Sequence, residues 1–129
     1  MTSRALALSA LLAFTVTTQA QARPVAEIRQ AKVDAASRAH AGAAAAYSVG
    51  TTTLEAVYLW SVRWLDAERA SSRKAADKRA AAERHLARID SLGADVAKRV
   101  AAGMATPTDS DAVTFYRAEA ELWSTGKTH

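Results

Sequence analysis

Hydrophobic residues after Pro24 recur at the three- and four-residue spacing of helices, without the alternation of strands. The first predicted helix has Pro24 in its first turn, a favoured place for proline, and runs to about Tyr47. Its apolar stripe consists of Val25, Ile28, Ala35, Ala36, Ala39, Ala43, Ala46 and Tyr47. Because most of these side chains are alanine, we expect a neighbouring helix to approach closely.

The second predicted helix is unusually long. Thr52 with Glu55 three residues later has the pattern of a capping box, and no proline or glycine follows until Gly93. An apolar face at coiled-coil spacing continues through Ala75, Ala82, Leu86, Ile89, Val96 and Val100. The pattern predicts one helix from about Thr53 to Ala102, about 75 Å long at 1.5 Å per residue. The serines at 71 and 72 mark a place where the pattern allows a bend.

The third predicted helix begins with Thr106 as its cap and Pro107 in its first turn, with Asp109 facing the positive end of the helix dipole. It runs to about Trp123. Gly50 and Gly103 follow the first and second helices, and glycine accepts the left-handed backbone that ends a helix. The chain is therefore predicted to be all-α, with elongated antiparallel helical hairpins and coiled-coil packing on one long central helix.

One stretch of the sequence occurs twice. Segment 47–54 reads YSVGTTTL and segment 100–107 reads VAAGMATP, with their glycines 53 residues apart (103 − 50 = 53). Two Ala-Glu pairs, at 67–68 and 120–121, have the same spacing. Self-similarity at one period indicates a repeated structural unit. We interpret 23–123 as one helical domain of two hairpin repeats, 24–76 and 77–123, followed by a flexible tail at 124–129.

The first residues are typical of a secretory signal peptide. Arg4 precedes a short apolar run over residues 5–16, and Ala20 and Ala22 provide the small residues that signal peptidase reads. The run is shorter than the about 20 residues of a membrane span. We expect cleavage near Ala22 and a periplasmic or exported protein with no transmembrane span afterwards.

Composition narrows the chemistry. The chain contains no cysteine, so disulfides and thiolate metal sites are excluded. Its formal net charge is +4. Much of the positive charge lies between Arg69 and Arg88, where acidic residues interrupt it and no aromatic residue is available for base stacking. We interpret this run as a solvated helix face, with weak contact to a membrane surface or a partner as the alternative. No nucleic-acid partner is expected.

Three aromatic residues, Tyr58, Trp60 and Trp64, lie on the early part of the long helix. Together with the aliphatic residues around them they cover about 200° of the helix circumference, against about 100° for an ordinary amphipathic stripe. One neighbouring helix would bury about half of that surface. The three side chains therefore belong either to an intramolecular core or to an interface with a partner, and the sequence leaves both interpretations open.

Segment 47–54 resembles the helical hairpin tips of the TolC-like outer-membrane efflux family, whose pattern is aromatic-x-x-Gly-Thr-x-Thr. That family also carries its hairpin twice per chain. The resemblance implies that the tips contact periplasmic adaptor proteins. The matching positions are Tyr47, Gly50, Thr51 and Thr53 in the first tip and Gly103, Thr106 and Asp109 in the second. The chain departs from the family at Ala56, where an aspartate is usual, and at Thr52, where an arginine is common.

We find no serine–histidine–acid trio, phosphate loop or cofactor fingerprint, so neither catalysis nor a cofactor is expected. The leading hypothesis is an exported, non-enzymatic helical interaction module that assists efflux or transport. Its partner would be a periplasmic adaptor or envelope protein, or a second copy of the chain. The alternative is a periplasmic metal- or small-ligand-binding helical protein, with His40 and His85 as candidate ligands.

Overall fold

The computed structural model describes residues 21–126, and these form four α-helices with no strand among them. The helices are α1 (Val25–Ser48), α2 (Leu54–Ser71), α3 (Ala75–Ala101) and α4 (Pro107–Ser124). The predicted all-α fold is confirmed. The signal peptide predicted at 1–22 falls almost entirely on residues outside the described part, as does the end of the predicted tail.

Each helix packs against the next one along the chain: α1 on α2, α2 on α3 and α3 on α4. Short turns join them, and contacts such as Arg84 with Glu68 and Arg117 with Asp90 show that neighbouring helices run in opposite directions. The turns at 49–53 and 102–106 therefore lie at one end of the molecule, which we call the corner end. The α2–α3 turn at 72–74 lies at the opposite end.

Both turns at the corner end reverse the chain at a glycine, as predicted. Gly50 has φ +78°, its N–H donates to Tyr47 O at 3.0 Å, and the N–H of Thr51 donates to Ala46 O at 2.9 Å. The turn at Gly103, with φ +70°, has the same pair of hydrogen bonds at the end of α3. These bonds satisfy the last carbonyls of α1 and α3, so each helix ends cleanly.

The helices that follow the turns have different caps. α4 has the predicted start, with Pro107 in the first turn and a capping box between Thr106 and Asp109. For α2 the predicted cap was wrong by one residue: Thr53, not Thr52, accepts a hydrogen bond from Ala56 N at 3.2 Å.

The single long helix predicted from Thr53 to Ala102 is not formed. The backbone is extended at Ser72 (φ −134°, ψ 145°) and at Lys74 (φ −74°, ψ 128°), so α2 and α3 are separate helices. Ser72 Oγ accepts from Lys74 N at 3.1 Å and donates to Asp77 Oδ2 at 2.6 Å. A serine that bonds nearby backbone in this way competes with the helix. The break falls where the serines allow a bend, and the predicted repeat boundary at 76/77 lies inside the first turn of α3.

Folding α3 back on α2 creates the core. Near the corner end, Tyr47, Leu54, Val57, Leu92 and Val96 are buried together. Near the opposite end, a second cluster consists of Leu65, Ala81 and Ala82, with Trp123 of α4 packed against it. A straight central helix would leave the apolar surface of Leu65 without these partners.

The predicted apolar stripe of α1 is buried only in part. Ala36 and Tyr47 are buried, but Val25 is 61% and Ile28 is 50% exposed. α1 has 24 residues and its partner α2 has 18, so no part of α2 reaches the first turns of α1. In residues 21–126, no helix is both long enough and apolar enough to cross a membrane.

Candidate functional site

Arg99, in the last turn of α3, joins the two corners. Its guanidinium donates to Ser48 O at 3.2 Å and to Met104 O at 3.3 Å, and it lies 4.7 Å from the ring centroid of Tyr47. A cation at these carbonyls is favourable because the end of a helix carries partial negative charge. The predicted tips of the two hairpins therefore lie side by side.

Five of the seven predicted tip residues are exposed at the corner end: Gly50, Thr51, Thr53, Gly103 and Thr106. Asp109 is half-buried and accepts from Thr106 N at 2.7 Å and from Thr106 Oγ1 at 2.9 Å. Tyr47 is only 6% exposed and packs beneath the first corner, so its ring supports the corner from inside.

Sequence reasoning missed three residues of the corner end. Val49 is 73% and Met104 is 59% exposed, so each corner presents one apolar side chain to solvent. Arg99 is the third. A basic residue in the last turn before a glycine is common at helix ends, so the pattern alone did not distinguish it.

The aromatic side chains of α2 turn toward different neighbours. Tyr58 stacks on Tyr116 of α4, with ring centroids 3.7 Å apart, and its hydroxyl donates to Glu119. Trp64 lies on the other side, 5.7 Å from His40 of α1 by ring centroids. The wide apolar surface of α2 is thus shared between α1 and α4, and Tyr58 and Trp64 belong to intramolecular packing.

Trp60, the third residue predicted for this interface, is half-buried. The guanidinium of Arg63 lies over its ring in a cation–π contact, 4.6 Å from the centroid.

A buried polar network lies between α2 and α3. Ser61 and His85 are both fully buried, and Ser61 Oγ lies 2.8 Å from His85 Nδ1. Arg88 Nε donates to Ser61 Oγ at 2.8 Å and its NH2 group donates to Ser61 O at 3.2 Å. Arg88 can only donate, so Ser61 Oγ is the acceptor of that bond, while the direction of the Ser61–His85 bond depends on the imidazole tautomer.

The surroundings keep His85 neutral. Burial first, and then the positive charge of Arg88, lower the pKa of His85 to about 4. Burial and then Arg88 also lower the pKa of His40. The pKa of Arg88 falls to about 10, again mainly by burial, so its guanidinium remains charged at neutral pH. The guanidinium also lies 4.0 Å from the ring centroid of Trp64.

The network does not have the arrangement of a hydrolytic site. Ser61 Oγ is buried and accepts a hydrogen bond from a cation, which makes it a weaker nucleophile and closes it to substrate. For a metal ion, His40 and His85 are the candidate ligands, but the charge of Arg88 acts on both and opposes a second cation. Within residues 21–126, no group of three or more His, Asp or Glu side chains is placed to hold a metal.

Comparison of the chain with protein-family models, with curated proteins and with solved structures found no match. The resemblance to TolC-like efflux proteins rests on the tip motif and on its repetition in the chain, and it stays a prediction.

Proposed function

We propose that this protein is a non-enzymatic helical interaction module that docks on another protein through its corner end. The observation that carries the proposal is the pairing of the two tips by Arg99, which makes one continuous surface from two segments distant in the sequence. Two separate turns would each offer only a few side chains. Held together, they present hydroxyl groups with Val49 and Met104 on the same end of the molecule.

The corner end is suited to binding because its shape is already set. Both turns are closed by hydrogen bonds at a glycine, and the helices that follow are capped by Thr53 and Thr106. A surface held in its binding conformation loses little conformational entropy on association. Two exposed apolar side chains are a small interface, which favours a transient complex.

The ends of the helices support the proposal of two copies of one hairpin. α1 ends at Ser48 and α3 at Ala101, and α2 and α4 begin at Leu54 and Pro107. α2 and α4 end at Ser71 and Ser124. Every pair has the same spacing as the two corner glycines. A duplicated hairpin is what the resemblance to efflux proteins implies, and we extend the proposal to an exported module that assists transport by contacting a periplasmic adaptor or envelope protein.

The proposal is tested by site-specific photo-cross-linking. A benzophenone amino acid replaces Met104 at the corner end or, as the matched control, the equally exposed Val25 at the start of α1. Each variant is irradiated in an envelope extract, and the cross-linked proteins are identified by mass spectrometry. We expect an adaptor or another envelope protein to be captured at position 104 and not at position 25.

A second measurement distinguishes loss of the binding surface from loss of the folded structure. The double variant Val49→Asp with Met104→Asp places charge on the exposed side chains and leaves both glycines and Arg99 in place. We expect it to keep the helical circular dichroism of the wild type and to lose the captured partner. Equal capture at positions 104 and 25, or a partner retained by the double variant, contradicts the proposal.

A further inference from the structure

A cavity of about 390 Å³ opens at the end of the molecule opposite the corners. The last turn of α2, the first turns of α3 and the end of α4 form its walls. Its lining includes Arg69, Ala75, Lys78, Arg79, Trp123 and Thr125. The cavity shares no residue with the corner end, so a ligand bound here would be independent of the proposed docking function.

The cavity is strongly cationic. Among the residues that the structure describes, Arg69, Lys78 and Arg79 are in its wall, and no acidic residue is. Arg79 is paired with Glu83 at 3.2 Å, while Arg69 and Lys78 form no salt bridge within residues 21–126. The first turn of α3 also forms part of the wall, and no side chain caps it. The guanidinium of Arg69 lies over the Trp123 ring, 5.8 Å from its centroid, so an anion bound by Arg69 would lie beside that ring. Two cations without a salt bridge beside the positive end of a long helix favour an anion.

Trp123 adds a flat apolar surface. It is half-buried, packs against the cluster of Leu65, Ala81 and Ala82, and lies 5.4 Å from the His85 ring by centroids. Its position is thus set by the core. The basic run between Arg69 and Arg88 contains no aromatic residue of its own, and the fold brings one to it from α4.

We propose that this cavity binds a small organic anion that carries a planar apolar group. Arg69 and Lys78 hold the anionic head, a phosphate or a carboxylate, and the planar group packs on Trp123. The cavity volume is within the range of sites for small molecules, which combine apolar walls with a few fixed polar groups. A charged head and a flat apolar body together match the walls better than either does alone.

Calorimetric titration of the full chain tests the proposal, with 2-naphthyl phosphate as the probe. Inorganic phosphate is the probe without a planar group, and 2-naphthalenemethanol is the probe without a charge. We expect saturable binding of naphthyl phosphate at millimolar concentration or below, and at least tenfold weaker binding of the other two. The indole N–H resonance of Trp123, assigned with Trp123→Phe, should shift during the same titration.

Variants identify the cations that bind the head. We expect Lys78→Gln and Arg69→Gln each to weaken binding of naphthyl phosphate by about three- to tenfold, since each removes one charge-assisted contact. Lys98→Gln is the matched control, because Lys98 is an exposed lysine of the same helix at the corner end. Circular dichroism of each variant confirms that the helices are formed.

Three results would each overturn the proposal. The first is no saturable binding of naphthyl phosphate at millimolar concentration. The second is equal affinity for naphthyl phosphate and for one of the two partial probes. The third is the same affinity in Lys78→Gln as in Lys98→Gln.

Discussion

At the centre of the bundle, three polar side chains take places that apolar residues fill elsewhere. Ser61 from α2 and His85 from α3 are fully buried, and Arg88 reaches both the hydroxyl and the carbonyl of Ser61. Each group depends on the others, because a buried donor or acceptor without a partner destabilises the folded state. The network therefore fixes which face of α2 meets α3.

Replacing Ser61 by alanine removes the acceptor of Arg88 Nε and the hydrogen-bond partner of His85 Nδ1. We expect the free energy of unfolding to fall by about 1–3 kcal/mol, the usual cost of leaving a buried polar group unpaired. Urea unfolding followed by circular dichroism measures the change. Ser91→Ala is the control, since Ser91 is exposed on α3. Equal midpoints for the two variants would show that the network does not stabilise the fold.

The pKa of His85 makes stability depend on pH. Its pKa is lowered from 6.5 to about 4 in the folded protein by burial, with Arg88 and Arg69 acting in the same direction. The unfolded chain therefore binds the proton more tightly, and stability is lost as the pH falls from about 6.5 toward 4. Between pH 7 and pH 5 we expect a loss of about 2 kcal/mol from this one group.

Urea unfolding at a series of pH values checks this expectation in the wild type and in His85→Gln. The glutamine variant should lose most of the pH dependence in this window. His40→Gln is the comparison, because His40 is only half-buried whereas His85 is fully buried. An unchanged dependence in His85→Gln would assign the effect to other groups.

At the scale of the elements, glycine has opposite roles at two kinds of position. Gly50 and Gly103 have positive φ and end α1 and α3. Gly42 lies inside α1 with nothing within 4 Å of the position that a Cβ would occupy. The same residue type is thus required at the corners and is unfavourable within the helix.

Alanine substitution separates the two roles. Gly50→Ala should lower the free energy of unfolding by about 1–2 kcal/mol, because alanine resists the left-handed backbone. The added Cβ itself meets Arg99 NH2 only at 3.8 Å, an ordinary contact. Gly42→Ala should raise the free energy of unfolding by about 0.5–1 kcal/mol through helix propensity. Thermal and urea unfolding measure both, and the same sign of change at both positions would contradict the assignment.

At the scale of the whole molecule, the break in the helix at 72–74 determines how the four helices pack. It turns one long helix into two that lie side by side, so that α3 reaches α1 through Arg99 and α4 reaches α2 through Tyr116. The paired corners and the cationic cavity both depend on this reversal. Neither would exist on a straight central helix.

Distance measurement between spin labels tests the reversal directly, and a chain without cysteine needs no background substitution. Cysteines replacing Glu55 at the start of α2 and Lys98 at the end of α3 accept the labels at exposed positions. In the hairpin both lie at the corner end, and we expect a separation of about 20 Å from the usual spacing of packed helices. A continuous helix would place them about 65 Å apart. A main population at the longer distance would contradict the fold.

Local features of the sequence determined the helices and their reversals at the corners. The turns at Gly50 and Gly103 and the start of α4 at Thr106-Pro107 depend on the backbone preferences of these residues themselves. They can therefore be predicted from the sequence without knowledge of the tertiary structure. The break at Ser72 was visible only as an allowed bend, since the serines permit it and the burial of Leu65 against Ala81 and Ala82 makes it favourable. Tyr47 matches the tip motif, but its side chain is buried. The motif did not predict this burial, because burial depends on which helices pack against the side chain.

The sequence by itself thus determined an all-helical chain with two glycine turns, since helix propensity and turn chemistry are set by neighbouring residues. Only the tertiary structure decided that Arg99 reaches the first corner, that Arg88 turns inward to Ser61 and that Trp123 meets the basic run. Each of these contacts joins residues far apart in the sequence. Such contacts depend on how the helices pack, and helical periodicity describes only the face that each helix offers.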